Sequence, residues 1–265
     1  ESERIATIIA GLAASGQRSE AADQFVRARD LNPLSGPAHL GLARLRSGGE
    51  AEQLYQKAVQ YSPGEWGPLH ALALFYYNDA RYDESVAAWR QALQLAPDNV
   101  PAMGYLGAGL HMKGHYAEAA DTFQRALALD ATTASTWANL GTARYFQGRY
   151  LDAVRATEKA VELAPGRYLY WGNLGDNYRW VEGLKSKAGG AYENAIRLVR
   201  ERLAVTPNDT GLRSSLAVYL AKFGDMAGAL AELAQLEQVR ESDKGTLFKA
   251  ALAYELVHDR DRALT

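Results

Sequence analysis

Apolar, small and charged residues follow one another along this chain in a pattern that returns at a fixed interval. Between 100 and 133 the apolar positions include Leu106, Gly107, Ala119, Phe123 and Ala126; thirty-four residues on stand Leu140, Gly141, Ala153, Thr157 and Ala160. The block 66–99 carries the same set as Leu72, Ala73, Tyr76, Ser85, Trp89 and Ala92. Charged residues such as Glu118 and Asp121 fall on the faces that such packing leaves to solvent. Five of the eight prolines punctuate the blocks, at Pro33, Pro63, Pro97, Pro165 and Pro207, separated by 30, 34, 68 and 42 residues. Proline cannot continue a helix, so each of these closes a unit. Pro37, Pro68 and Pro101 instead follow a turn, where the first helical position tolerates a missing N–H. The pattern predicts pairs of helices. Glycine and alanine let the two members approach closely, and Trp137, Leu140 and Phe123 fill the space around them. One pair has too little apolar area to fold alone, so neighbours stack into a continuous core.

The succession Trp137, Leu140, Gly141, Ala153, Ala160 and Pro165, with its counterparts in the flanking blocks, resembles the tetratricopeptide repeat family. That family's pattern runs Trp-x2-Leu-Gly-x2-Tyr, then Ala-x3-Phe and a closing Pro. Trp137 and Trp171 stand at its opening aromatic position. The resemblance implies an all-α protein: a right-handed α-solenoid of antiparallel helix hairpins with an open inner groove, one domain over 1–265. Units are expected at 2–35, 36–65, 66–99, 100–133, 134–167, 168–209 and 210–243, with a partial one at 244–265. The match is strongest from Trp66 to Arg167 and weaker at both ends.

Two units depart in length. The second loses four residues near Arg46, Ser47, Gly48 and Gly49, which shortens its first helix and turn. The sixth spans 42 residues, from Tyr168 to Asp209, and its extra residues are expected to lengthen the second helix by close to two turns at its far end. Gly189 and Gly190 inside it serve either close packing or a kink. The opening Trp171-Gly-Asn-Leu-Gly-Asp with Tyr178 and Trp180 resembles repeat regions of bacterial multidomain signalling proteins. There the repeats accompany a kinase, a winged-helix regulator or a cyclase-like domain, which implies an accessory or sensory role. A chain that opens on Glu1 and stops within a hairpin is expected to be a piece of something longer.

Composition narrows the chemistry. With no cysteine there is no disulfide, thiolate metal site or cysteine nucleophile. Lysine and arginine are scattered among aspartate and glutamate for a net charge of −2, without the basic patch of a nucleic-acid binder. The apolar run Ile5 to Leu12 is far shorter than the roughly 20 residues of a membrane span. The reading is a soluble protein, cytoplasmic or periplasmic. His111 and His115 are four apart, but Gly114 between them and the missing carboxylate pattern argue against a metal pair. Gly-Ala-Gly at 107–109 follows no strand, so it is no phosphate loop. No cofactor and no catalysis are expected.

In the resembled family, the first helix of each hairpin lines the groove. Carried over by motif position, the residues facing a guest are His70, Leu74 and Tyr77, then Tyr105, Ala108 and His111, then Asn139, Thr142 and Tyr145, then Asn173, Asp176 and Arg179. Lys222, Lys249 and Glu255 extend the set. Asn139 and Asn173 occupy the same position in consecutive units, and a primary amide both donates and accepts. The pair is similar to the asparagine ladder of O-linked N-acetylglucosamine transferases, which holds a peptide backbone; asparagine also occurs there for local reasons. Tyr77, Tyr105, Tyr145 and Trp180 either present aromatic contact surface or pack between adjacent first helices, the second reading being preferred for Trp180. Asp176 and Arg179 are expected to pair along their helix. The function expected is a scaffold holding a protein or peptide. The alternatives are the substrate-recruiting arm of a glycosyltransferase or kinase, and self-association through the uncapped end at 244–265.

Overall fold

The computed structural model describes residues 18–237, 243–259 and 263. Among these the regular structure is helical, and the chain divides into two compact units, 1–130 and 131–265. The first contains α1 (Arg18–Leu31), α2 (Gly36–Ala43), α3 (Gly48–Tyr61), α4 (Trp66–Asn78), α5 (Tyr82–Leu95), α6 (Val100–Met112) and α7 (Tyr116–Leu129). The second contains α8 (Ala134–Phe146), α9 (Tyr150–Leu163), α10 (Tyr168–Tyr178), a 3-10 turn at Lys185–Lys187, α11 (Ala188–Val205), α12 (Thr210–Phe223), α13 (Met226–Leu236) and α14 (Lys244–Leu256). Successive helices pack as hairpins, α2 on α3 through to α12 on α13, in the manner of an α-solenoid. The expected units at either end lie partly outside the described residues.

Inside each hairpin the small residue of the first helix meets a large one of the second. A Cβ added at Gly107 would stand 2.5 Å from the Phe123 ring, and one at Gly175 would stand 2.5 Å from Tyr192. Gly141 faces Thr157, whose hydroxyl donates to Ala153 O at 2.9 Å and accepts from Asn177 Nδ2 at 2.8 Å. The alanines opposite, Ala119, Ala126, Ala153 and Ala160, are fully buried.

Polar bonds fix how hairpins join. The tyrosine near the end of the first helix donates to a glutamate of the preceding second helix or its C-cap: Tyr76 to Glu52 at 3.0 Å, Tyr178 to Glu158 at 2.7 Å and Tyr254 to the C-cap Glu237 at 2.5 Å. In three first helices of the second unit the residue four past the N-cap reaches back across the turn. Trp137 Nε1 donates to Ala131 O and Trp171 Nε1 to Pro165 O, both at 2.8 Å, and Arg213 donates to Pro207 O at 2.6 Å. The two half-buried tryptophans thus brace the turn through their indole N–H, and Trp171 also packs against the core.

The turn between the helices of a hairpin needs a left-handed residue, which glycine supplies without strain. Gly114 and Gly148 have φ of 78° and 73°, but the equivalent position after α4 is Ala80 at 58°.

The two length changes are resolved in detail. α2 has 8 residues where α4 and α6 have 13. The long hairpin corrects the sequence expectation. α11 has 18 residues against 14 in α9, so it gains about one turn, not two. The other added residues widen the connection 179–187, which forms the 3-10 turn. Gly189 and Gly190 open α11 in its first turn, and a Cβ would meet only Phe223, 4.0 Å from Gly189. Neither glycine is needed for close packing.

Candidate binding face

In the first unit the candidate residues form an aromatic cluster. His70 stands edge-on to Trp89 at 4.8 Å, to Trp66 at 5.5 Å and to Tyr105 at 6.0 Å. Tyr105, 40 % exposed, stacks on the fully buried Trp89 at 5.2 Å and 6°. Tyr77 is half-buried against Tyr82 at 5.5 Å, and His111 against Tyr116 at 5.1 Å. Burial lowers the pKa of both histidines, and the Arg44 charge adds to the effect on His70, so both rings are held neutral. Burial likewise raises the Tyr77 hydroxyl. His70 Nδ1 and Trp89 Nε1 are both buried without a hydrogen-bond partner.

Beside His70 lies a cleft of about 500 Å³ that sequence reasoning did not find. Leu74, Phe75 and Asn78 of α4 form one side, Tyr55 of α3 another, and Arg44 and Ser47 of the turn after α2 a third. Tyr55 and Phe75 stand 5.4 Å apart at 41°. The signal for it was present in the four residues missing near 46–49.

In the second unit the candidates are more polar. Asn139 is exposed and Asn173 half-buried, at the same register on α8 and α10, and neither amide bonds to another described residue. Thr142 donates to its own helix at Ala138 O, 3.0 Å away. Tyr145 is half-buried, 5.5 Å from both Phe146 and Tyr150; burial raises its hydroxyl pKa, and the indole of Trp180 bonding to that hydroxyl counteracts it. Trp180 is 57 % exposed and stacks on Tyr150 at 5.2 Å, so it is only partly covered where it meets the α8–α9 hairpin. Its place in the widened connection, past the end of α10, carries it outward.

Asp176 also departs from expectation. It pairs with Lys222 of α12, both oxygens 2.7 Å from Nζ, and accepts from the Tyr192 hydroxyl at 2.7 Å. It does not pair with Arg179. Lys222 is the better partner because its charge is largely buried, with 15 % of the side chain exposed, and a buried cation needs a counterion more than a surface guanidinium does. Burial, together with the Asp176 charge, pushes the Tyr192 hydroxyl pKa well up. Arg179 is exposed at the end of α10. Lys249 bonds to Ser215 Oγ at 3.0 Å, a smaller version of the same link between first helices.

Among the described residues no three His, Asp or Glu side chains converge as metal ligands, and no helix is long and apolar enough to cross a membrane.

Comparison with known proteins places the repeat. Two tetratricopeptide repeat models match, one over residues 70–134 and one over 134–167. No curated protein matches the chain in sequence. Solved structures resemble it in fold at low identity. YrrB, described as a TPR protein with an unusual peptide-binding site, is 21% identical with a TM-score of 0.58, covering 67% of this chain and 93% of its own. The C-terminal part of a TPR repeat-containing protein from Cytophaga hutchinsonii is 15% identical with a TM-score of 0.64, covering 92% and 98%. The Cut9–Hcn1 assembly of the APC/C gives 18% identity and a TM-score of 0.68, covering 97% of this chain and 48% of that one.

Proposed function

Since this chain is a tetratricopeptide repeat protein, matched through its central repeats, we propose that it is a non-catalytic scaffold that holds an extended peptide or partner protein on the faces of its first helices. In the second unit Asn139 and Asn173 grip the guest's main chain, with Tyr145 and Arg179 beside them. In the first unit His70, Tyr77, Tyr105 and His111 offer an apolar surface. The observation that carries this reading is the pair of amides at one register on consecutive first helices, with no bonds to other described residues. The buried Asn177, by contrast, spends its amide within the protein at Thr157. Asp176 acts differently: it sets the spacing of α10, α11 and α12 and contributes to the face only by fixing its shape. The peptide-binding site of YrrB, a protein of the same fold, supports the assignment. A place as the accessory or sensory part of a larger bacterial protein follows from the opening of the long repeat.

The experiment is site-specific photo-cross-linking in the full-length protein within its source cell. A cross-linker replacing Asn139 or Asn173 captures a discrete partner, whereas one replacing Arg155, 70% exposed on the second helix α9, does not. The Asn139→Ala, Asn173→Ala double variant weakens that capture without a change in melting temperature. Equal capture from Arg155, or none from either asparagine, rejects the reading.

A further inference from the structure

The shortening of α2 does more than break the repeat. Its missing length is about one helical turn, and it ends level with the half of α4 where the cleft opens. The cleft has the size of a small-ligand pocket, which runs from about 300 to about 1,000 Å³.

Its chemistry has two parts. The walls from Tyr55, Leu74 and Phe75 are apolar and mostly aromatic, suited to a flat side chain. The turn side is positive. The Arg44 guanidinium makes no ion pair or hydrogen bond with a described residue, whereas its neighbour Arg46 is engaged by Glu50 at 3.0 Å. The N-terminus of the fourteen-residue α3 faces the same space: Ser47 is its N-cap, makes no side-chain capping bond, and lines the cleft with Gly48. The helix dipole favours an anion there.

The cleft has one carboxylate, Asp79. Burial raises the pKa of the Tyr55 hydroxyl and lowers that of the His70 ring; the nearby Arg44 charge opposes the first shift and adds to the second, so a positive charge is felt at the aromatic walls. His70 is neutral and supplies no competing cation.

We propose that this cleft takes an aromatic side chain of the guest peptide, and that Arg44 binds the side-chain carboxylate of an acidic residue next to it. The assignment rests on the peptide-binding reading above and gives it a sequence preference. A guest running along the first helices passes through the cleft as continuous chain, which selects an internal acidic residue over a terminal carboxylate.

The test is NMR titration of the ¹⁵N-labelled protein with short peptides blocked at both ends, one carrying Glu-Phe in an alanine and glycine host, and others carrying Gln-Phe or Glu-Ala. The Glu-Phe peptide shifts the amides of Ser47, Gly48, His70 and Phe75 in saturable fashion. Gln-Phe binds about fivefold more weakly, the size expected of a rim ion pair. In Arg44→Gln, an exposed substitution, the Glu-Phe and Gln-Phe peptides bind alike. The proposal is overturned if Glu-Phe and Gln-Phe bind the wild-type protein equally, if Arg44→Gln keeps the difference, or if Glu-Ala binds as tightly as Glu-Phe. Shifts confined to α8 and α10 overturn the cleft assignment while leaving the broader peptide-binding reading standing.

Discussion

The hairpin α2–α3 lost residues and the hairpin α10–α11 gained them, and the fold treated the two changes differently. The loss fell at the end of the first helix, uncovered part of α4, and left a cleft bordered by the unpaired Arg44. The gain was divided between the connection at 179–187 and one added turn of α11, and the groups around it are tied together through Tyr192, Asp176 and Lys222. A deletion in a stacked helical array removes cover that no neighbour can restore, because each repeat touches only the next. An insertion can leave along a loop or extend a helix without disturbing the seam.

The largest effect should come from the aromatic floor beside the shortened hairpin. Trp89→Ala removes a fully buried ring that supports His70 and Tyr105, and is expected to cost about 3–5 kcal/mol in chemical denaturation. A loss below about 1 kcal/mol would show that the region around the cleft is already loose. In the lengthened hairpin, Asp176→Ala leaves the largely buried Lys222 without its counterion and the Tyr192 hydroxyl without an acceptor. Allowing for partial exposure of the carboxylate, about 2 kcal/mol is expected. Adding Lys222→Ala should recover part of it, and strict additivity of the two would refute the pairing.

Smaller effects sharpen the contrast. Ala80→Gly relieves a left-handed alanine at the turn after α4 and should stabilise by about 1 kcal/mol, with Gly148→Ala the opposite control. The pH dependence of stability should come from the first unit, where burial lowers the pKa of His70 and His111. Unfolded histidine titrates near about 6.5. The unfolded state therefore binds more protons just below that pH, so stability is full above it and declines as pH falls toward the lowered native values. Unfolding midpoints measured from pH 7.5 down to pH 5 should slope accordingly, and His70→Gln with His111→Gln should flatten the curve.

Much of the fold was legible because close packing writes itself into residue size. Gly107 and Gly175 each meet a ring, and only glycine fits there, so spacing alone located the hairpins. The tyrosine of the motif was legible as a position but not as a donor; its glutamate acceptor sits on the preceding helix, about twenty residues away in Tyr178 and Glu158. The site was harder. Asn139 and Asn173 could be paired by register alone, but Asp176 was given the wrong partner, because Lys222 lies 46 residues on and only folding brings it near. The loop position of Trp180 depended on how the insertion was divided, and periodicity carries no information about that. The cleft followed from a gap in the repeat, and a gap names no residue that will line it.

The bond from the Trp137 and Trp171 rings to the carbonyl six residues before each has a practical consequence. Trp137 and Trp171 each report on a single joint, because opening that joint exchanges a carbonyl at 2.8 Å for water. Indole emission shifts with such a change. Single-tryptophan versions of the chain could therefore follow, one junction at a time, where the stack first comes apart under force, heat or the arrival of a guest.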